Sequence, residues 1–256
     1  MFYKRNAFTL IELLVAISII ALLIGLLMPV LGNAKTHAKM IREMSAARTL
    51  MVAYSVYTND HNGYVLPGYW NGDARDDRGN TLHHPASTRY AWRLAPYMDY
   101  QIRDGLLVHS RQADIESLIA QGASYAYEVS TLTSLGLNAR HIGGHQSYAW
   151  LPYVRRIEEP TEPSRLITFA SARSTPSGAG DEVEGYFEVT PPEDPTYDAA
   201  THAYKYGFVH PRYHDSAVVG WFDTHASVRP EQDFQDMRRW SDVAARQNDP
   251  AWVWTP

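Results

Sequence analysis

Residues 13–31, LLVAISIIALLIGLLMPVL, run for 19 positions without a charge, and no other feature narrows the possible folds of the chain as much. At 1.5 Å per residue the run makes a helix of about 28 Å, close to the hydrocarbon thickness of a bilayer. Three structures fit it: a transmembrane anchor, a cleaved signal peptide or a buried core helix. A core helix rarely stays apolar on every face for about five turns. A signal peptide needs a basic start, which Lys4 and Arg5 supply, and a small-residue cleavage site, which Gly32-Asn33-Ala34 resembles. Its apolar core, however, is usually about 7–15 residues long. Here apolar character begins at Phe8 and is interrupted once, by Glu12. A carboxylate at the centre of an apolar helix costs roughly 2.5–3.5 kcal/mol on insertion scales. A signal peptide has no use for it, whereas in a bilayer an ionisable residue marks a functional position that needs a partner.

The segment Lys4-Arg5-Asn6-Ala7-Phe8-Thr9-Leu10-Ile11-Glu12 resembles the N-terminal signature of type IV prepilins and type II secretion pseudopilins. That family has a short basic leader, a small residue, then Phe-Thr-Leu-Ile-Glu opening a long apolar helix. The resemblance implies cleavage by a prepilin peptidase between Ala7 and Phe8 and methylation of the new Phe8 amine. It also implies that Glu12 pairs with the N-terminal amine of a neighbouring subunit, since a buried carboxylate and a buried ammonium are each costly alone and tolerable together. Pro29 stands where the family carries a helix-kinking proline, consistent with its missing N–H and its ring. Ala7 departs from the usual Gly before the cut. Two cations precede the apolar run and four follow it (Lys35, Lys39, Arg42, Arg48), so charge counting alone does not favour a cytoplasmic N-terminus. The resemblance sets that orientation.

Beyond Pro29 the helical pattern resumes. Met40, Met44, Ala47, Met51 and Tyr54 recur at spacings of four and three, one face of an amphipathic helix. Lys39, Arg42, Glu43 and Thr49 are assigned to the other faces. Turn formers at 57–64 end the pattern. From Tyr57 to Gly68 the chain resembles the Tyr-x-x-Asp-x-x-Gly-Tyr-x-Pro pattern of a planctomycete-type pilin-like subgroup. Ala91–Tyr97, Leu135–Asn138 with Gly143-Gly144, and Pro163–Ser171 resemble later blocks of it.

Charge divides the chain in two. Residues 1–59 carry six Lys/Arg against Glu12 and Glu43, a net of +4; the whole chain is −5, leaving −9 on residues 60–256. An acidic body argues against nucleic-acid binding, which wants a basic path along phosphates. The absence of cysteine excludes disulfides, thiol catalysis and Cys-ligated zinc.

In residues 60–256, strand-like runs occupy 165–170, 184–189 and 217–222, with a helical pattern at 111–121. The segment 173–201 is rich in Pro, Gly, Ser and acids (Asp181, Glu182, Glu184, Glu193, Asp194) and reads as a solvated loop. Loop carboxylates make calcium conceivable there, although no EF-hand spacing is present. Trp240, Trp252 and Trp254 are expected to cap the core or a subunit contact. The strongest enzyme-like group is His210, His214, Asp223 and His225, which would suit a metal-dependent hydrolase if they converged. The alternative is a β-hairpin, 217–222 returning at 226–228 through Asp223-Thr224-His225. His214 and Asp223 resemble the His-x9-Asp-Gly element of the subgroup, a feature of unknown role. Eight residues separate them here, and Thr224 replaces the Gly, which argues against a positive-φ turn.

The expected fold is α+β. It comprises a leader at 1–7, an N-terminal helix at 8–59 (transmembrane over about 8–31) and an extracytoplasmic head at 60–256, in which the helix packs on an antiparallel sheet. The expected function is a structural filament subunit of the bacterial inner membrane, without catalytic residues or a resident metal. Its partners would be a prepilin peptidase and other pilin or pseudopilin subunits.

Overall fold

The computed structural model describes residues 10–108, 111–120, 122, 124–174, 183–198, 200 and 202–253. One helix, α1, runs without a break from Leu10 to Asp60. The chain divides into two compact units within it, one ending at Met40 and the other beginning at Ile41.

In the first unit the helix is long and apolar enough to cross a bilayer. Its large side chains from Leu10 to Leu31 are 48–82% exposed. Pro29 lies inside the helix; its missing N–H removes the bond that would reach the Gly25 carbonyl one turn earlier. Ser18 and Thr36 turn their hydroxyls back onto the carbonyls of Leu14 and Gly32, at 2.8 and 3.2 Å. That bond keeps a hydroxyl satisfied without water, so both residues suit an apolar helix.

In the second unit α1 buries Glu43, Ala46, Ala47, Leu50, Met51, Ala53, Tyr54 and Thr58. The core stripe expected from Met40, Met44, Ala47, Met51 and Tyr54 is present, but it is centred closer to Ala46 and Leu50, with Met44 half-buried. Glu43, assigned to a face away from the core stripe, is fully buried.

The stripe packs on an antiparallel sheet of four strands in the order β1-β2-β5-β6, formed by Leu135–Leu137, Ile167–Ser171, Ser216–Trp221 and Ala226–Pro230. A separate ribbon pairs β3 (Arg173–Ser174) with β4 (Val183–Glu184). Every residue of β2 is buried, as are all of β5 after Ser216, because both faces of the sheet are covered. The face toward α1 carries Phe169 and Gly220, which are register partners. The ring of Tyr54 meets Phe169 edge-on at 6.1 Å. A Cβ at Gly220 would stand 3.0 Å from the Met51 side chain, so glycine is what lets the helix approach this closely. On the other face Ile167, Ala170, Val219, Trp221, Phe234 and Trp240 belong to a buried apolar cluster. Ile167 and Ala170, three apart, share that face because a bulge between Ile167 and Phe169 shifts the register.

The outer strand β6 is half-buried and ends on Pro230, a residue that cannot extend the ladder. The strand expected at 184–189 is shorter than the sequence suggests. Gly185 takes φ +108° and breaks it after Glu184. Beyond the break, Phe187 and Val189 bond Leu137 through a bridge alongside β1. The helix expected at 111–121 is present as Arg111–Ala120. Trp240 lies fully buried in the core and Trp252 is nearly so, while Trp254 falls outside the described residues.

Candidate functional site

Two acids on α1 define the places where polar chemistry meets apolar packing. Glu12 stands in the first turn, where a carboxylate complements the positive end of the helix dipole. It is exposed and lies along a shallow apolar groove with Ile11, Val15, Ala16 and Ile19. Apart from Glu12 no described residue up to Asn33 is charged. Ala7 and Phe8, at the expected cleavage point, fall outside the described residues.

Glu43 is the second acid. Its Oε1 accepts from the Ser171 hydroxyl at 2.5 Å, and its Oε2 accepts from the Tyr213 hydroxyl at 2.5 Å. The Arg212 guanidinium stands 3.3 Å from Oε1. Arg212 in turn donates to the carbonyls of Ser134 and Ala172, at 2.9 and 3.1 Å, and lies 3.4 Å from Glu184. A single carboxylate thus ties the helix to the end of β2 and to the turn that leads into β5. Burial and the neighbouring Glu43 charge push the Tyr213 hydroxyl far above its ordinary range, so it remains a donor at any physiological pH. Nothing in the sequence reading assigned a role to Glu43, Ser171, Arg212 or Tyr213.

His210 borders the same cluster. Burial, together with the charges of Arg212 and Arg173, pushes it down to about 3, so it is a neutral ring. His214 and Asp215 both take left-handed backbone conformations, φ +50° and +56°, at the turn before β5. His214 is exposed at one end of that strand, and Asp223 and His225 are exposed at the other. Six residues of strand place the two ends about 17 Å apart. His225 Nδ1 meets Asp223 Oδ1 at 2.5 Å and its ring stacks on Trp221. The four residues proposed for a hydrolase therefore do not converge. Among the described residues no three His, Asp or Glu side chains are grouped to hold a metal ion; Asp181 and Glu182 lie outside them.

The hairpin reading is the one the chain adopts, with β5 and β6 joined by Phe222–His225. Thr224 nevertheless takes φ +79°. The positive-φ turn that loss of the glycine argued against is present, carried by a β-branched residue.

A long apolar helix whose second half packs on an antiparallel sheet defines an α+β protein suited to anchoring in a membrane. Residues 3–28 match the family model described as the prokaryotic N-terminal methylation motif. The chain is pilin-like in that segment, and the motif is one of structural proteins. No curated protein and no solved structure matches the chain.

Proposed function

We propose that the chain is a structural subunit of a type IV pilus-like or type II secretion pseudopilus filament. A prepilin peptidase cuts between Ala7 and Phe8 and methylates the Phe8 amine. The subunit waits in the bacterial inner membrane with its N-terminus cytoplasmic and its head periplasmic. It leaves the bilayer when the apolar helices of neighbouring subunits replace lipid around α1. Glu12 neutralises the Phe8 amine of the next subunit, which sets the axial register, and Pro29 bends the helix to fit the bundle.

One observation carries this reading. The methylation motif at 3–28 covers the start of a helix whose large side chains from Leu10 to Leu31 are all exposed and apolar, interrupted only by Glu12. Such a surface demands either lipid or other apolar helices, and an acid within it demands a cation.

Mass spectrometry of the mature protein should find a methylated Phe8 at its start. A mature chain that retains residues 1–7 refutes the processing step. Glu12→Ala should insert in the membrane at the normal level yet fail to enter filaments. Normal filaments from that variant would exclude the pairing.

A further inference from the structure

A cleft of about 350 Å³ opens where the end of α1, the segment Asp73–Arg75, the helix Tyr90–Leu94 and the turn Ala95–Met98 meet. Two sequence blocks singled out above, the one around Tyr57 and the one from Ala91 to Tyr97, come together in it. Its walls are aromatic. His61 stacks on Tyr57 at 3.9 Å, Tyr97 meets Tyr57 edge-on at 5.5 Å, and Tyr100 completes the rim.

Arg93 lines this cleft with unbalanced charge. Its Nη2 donates to the carbonyls of Gly68 and Thr88, at 3.0 and 2.8 Å, and its Nε to that of Arg89 at 3.4 Å. Nη1 carries none of these bonds. Among the described residues no carboxylate pairs with Arg93, and burial lowers its pKa to about 10. Arg93 is half-buried, and an anion arriving in the cleft would give its guanidinium a partner of opposite charge in place of carbonyls alone. A Cβ at Gly72 would stand in ordinary contact with that nitrogen, at 4.0 Å, so a larger side chain there would cover part of it.

The walls say what shape of anion fits. A pyranose ring offers aromatic side chains a C–H face and offers its surroundings a rim of hydroxyls. Asp73, Arg75 and the Nε2 of His61, whose Nδ1 already bonds the Tyr57 carbonyl at 2.8 Å, stand at that rim. A purely aromatic acid would leave those rim groups unused. We propose that this cleft binds a hexuronate unit of an acidic polysaccharide, its ring against Tyr57 and Tyr97 and its carboxylate on Arg93.

The test is calorimetric titration of the full chain in detergent micelles with tetragalacturonate, its methyl ester and benzoate. Tetragalacturonate should bind, and the ester, which lacks the charge, should bind about tenfold more weakly or worse. Tyr97→Ala should weaken binding by a similar factor. Gly72→Val grows over Nη1 without removing a charge or straining the backbone, and should do the same while leaving the circular dichroism spectrum unchanged. The proposal is overturned if tetragalacturonate does not bind at millimolar concentration or if the ester binds equally well. It is equally overturned if benzoate competes at equal strength, or if a folded Gly72→Val chain binds as the parent does.

Discussion

Removing the carboxylate of Glu43 tests whether one buried ion cluster holds the helix to the sheet. The side chain is fully buried, and Arg212, whose side chain is only 6% exposed, loses its closest carboxylate when Glu43 becomes Ala. Breaking a buried pair from one side costs about 3–5 kcal/mol. The residual partners of Arg212, two carbonyls and the partly exposed Glu184, argue for the lower end. Ser171 can fall back on the Val218 carbonyl at 3.4 Å, a longer bond than the one it loses. A loss of about 3 kcal/mol is therefore expected for Glu43→Ala. Glu43→Gln, which keeps the size and accepts one hydroxyl bond, should lose about 1.5–3 kcal/mol. Urea unfolding followed by near-ultraviolet circular dichroism measures both, because Trp221 and Trp240 sit in the core that would loosen. The decisive comparison is a cycle with Arg212→Leu and Glu43→Leu. Removing both charges together should cost markedly less than the sum of the single losses, since neither ion is then stranded. Additive losses would refute the view that the pair acts as a unit.

Three further outcomes follow from the head. Gly220→Ala should destabilise by about 1–3 kcal/mol, since its Cβ would press on Met51; pairing it with Met51→Ala should recover part of the loss in thermal unfolding. Thr224→Gly should stabilise by about 1 kcal/mol, the strain released at φ +79° exceeding the entropy a glycine adds to the unfolded chain; an unchanged midpoint would mean that the turn is unstrained. Acid should weaken the head through His141 and His210, which burial above all holds down to about 4 and about 3 from an ordinary 6.5. Both rings are neutral when folded, so their contribution is fully present above pH 6.5 and is lost as pH falls towards 3, with each titrating ring costing up to about 1.4 kcal/mol per unit. Urea midpoints measured across that range should fall, and His210→Phe should flatten the slope.

What the sequence disclosed and what it hid can be compared on the two acids of α1. Glu12 was legible because its whole context is local: an uncharged run on one side of it and a basic leader on the other, all within a few turns. Glu43 was assigned to a face away from the core stripe, yet its spacing gave notice. Met40, Glu43, Ala47, Leu50 and Tyr54 recur at three and four, sharing Met40, Ala47 and Tyr54 with the stripe that predicted the core. What could not be seen is why a charge is tolerated there. Its partners Ser171 and Tyr213 lie 128 and 170 positions further along the chain, and no local pattern links them. The strands were legible where they are long and apolar, as in 167–171 and 216–221. They were not legible at Leu135–Leu137, three residues around a glycine, nor past Gly185, where one backbone angle ends a run that reads as a strand. The same physics governs both acids. A carboxylate on an apolar helix face needs a cation or several donors, and at Glu43 the fold supplies Arg212, Ser171 and Tyr213 from its own chain. At Glu12 the helix surface is made of exposed leucine and isoleucine, and on the proposed reading the next subunit brings a cation to it.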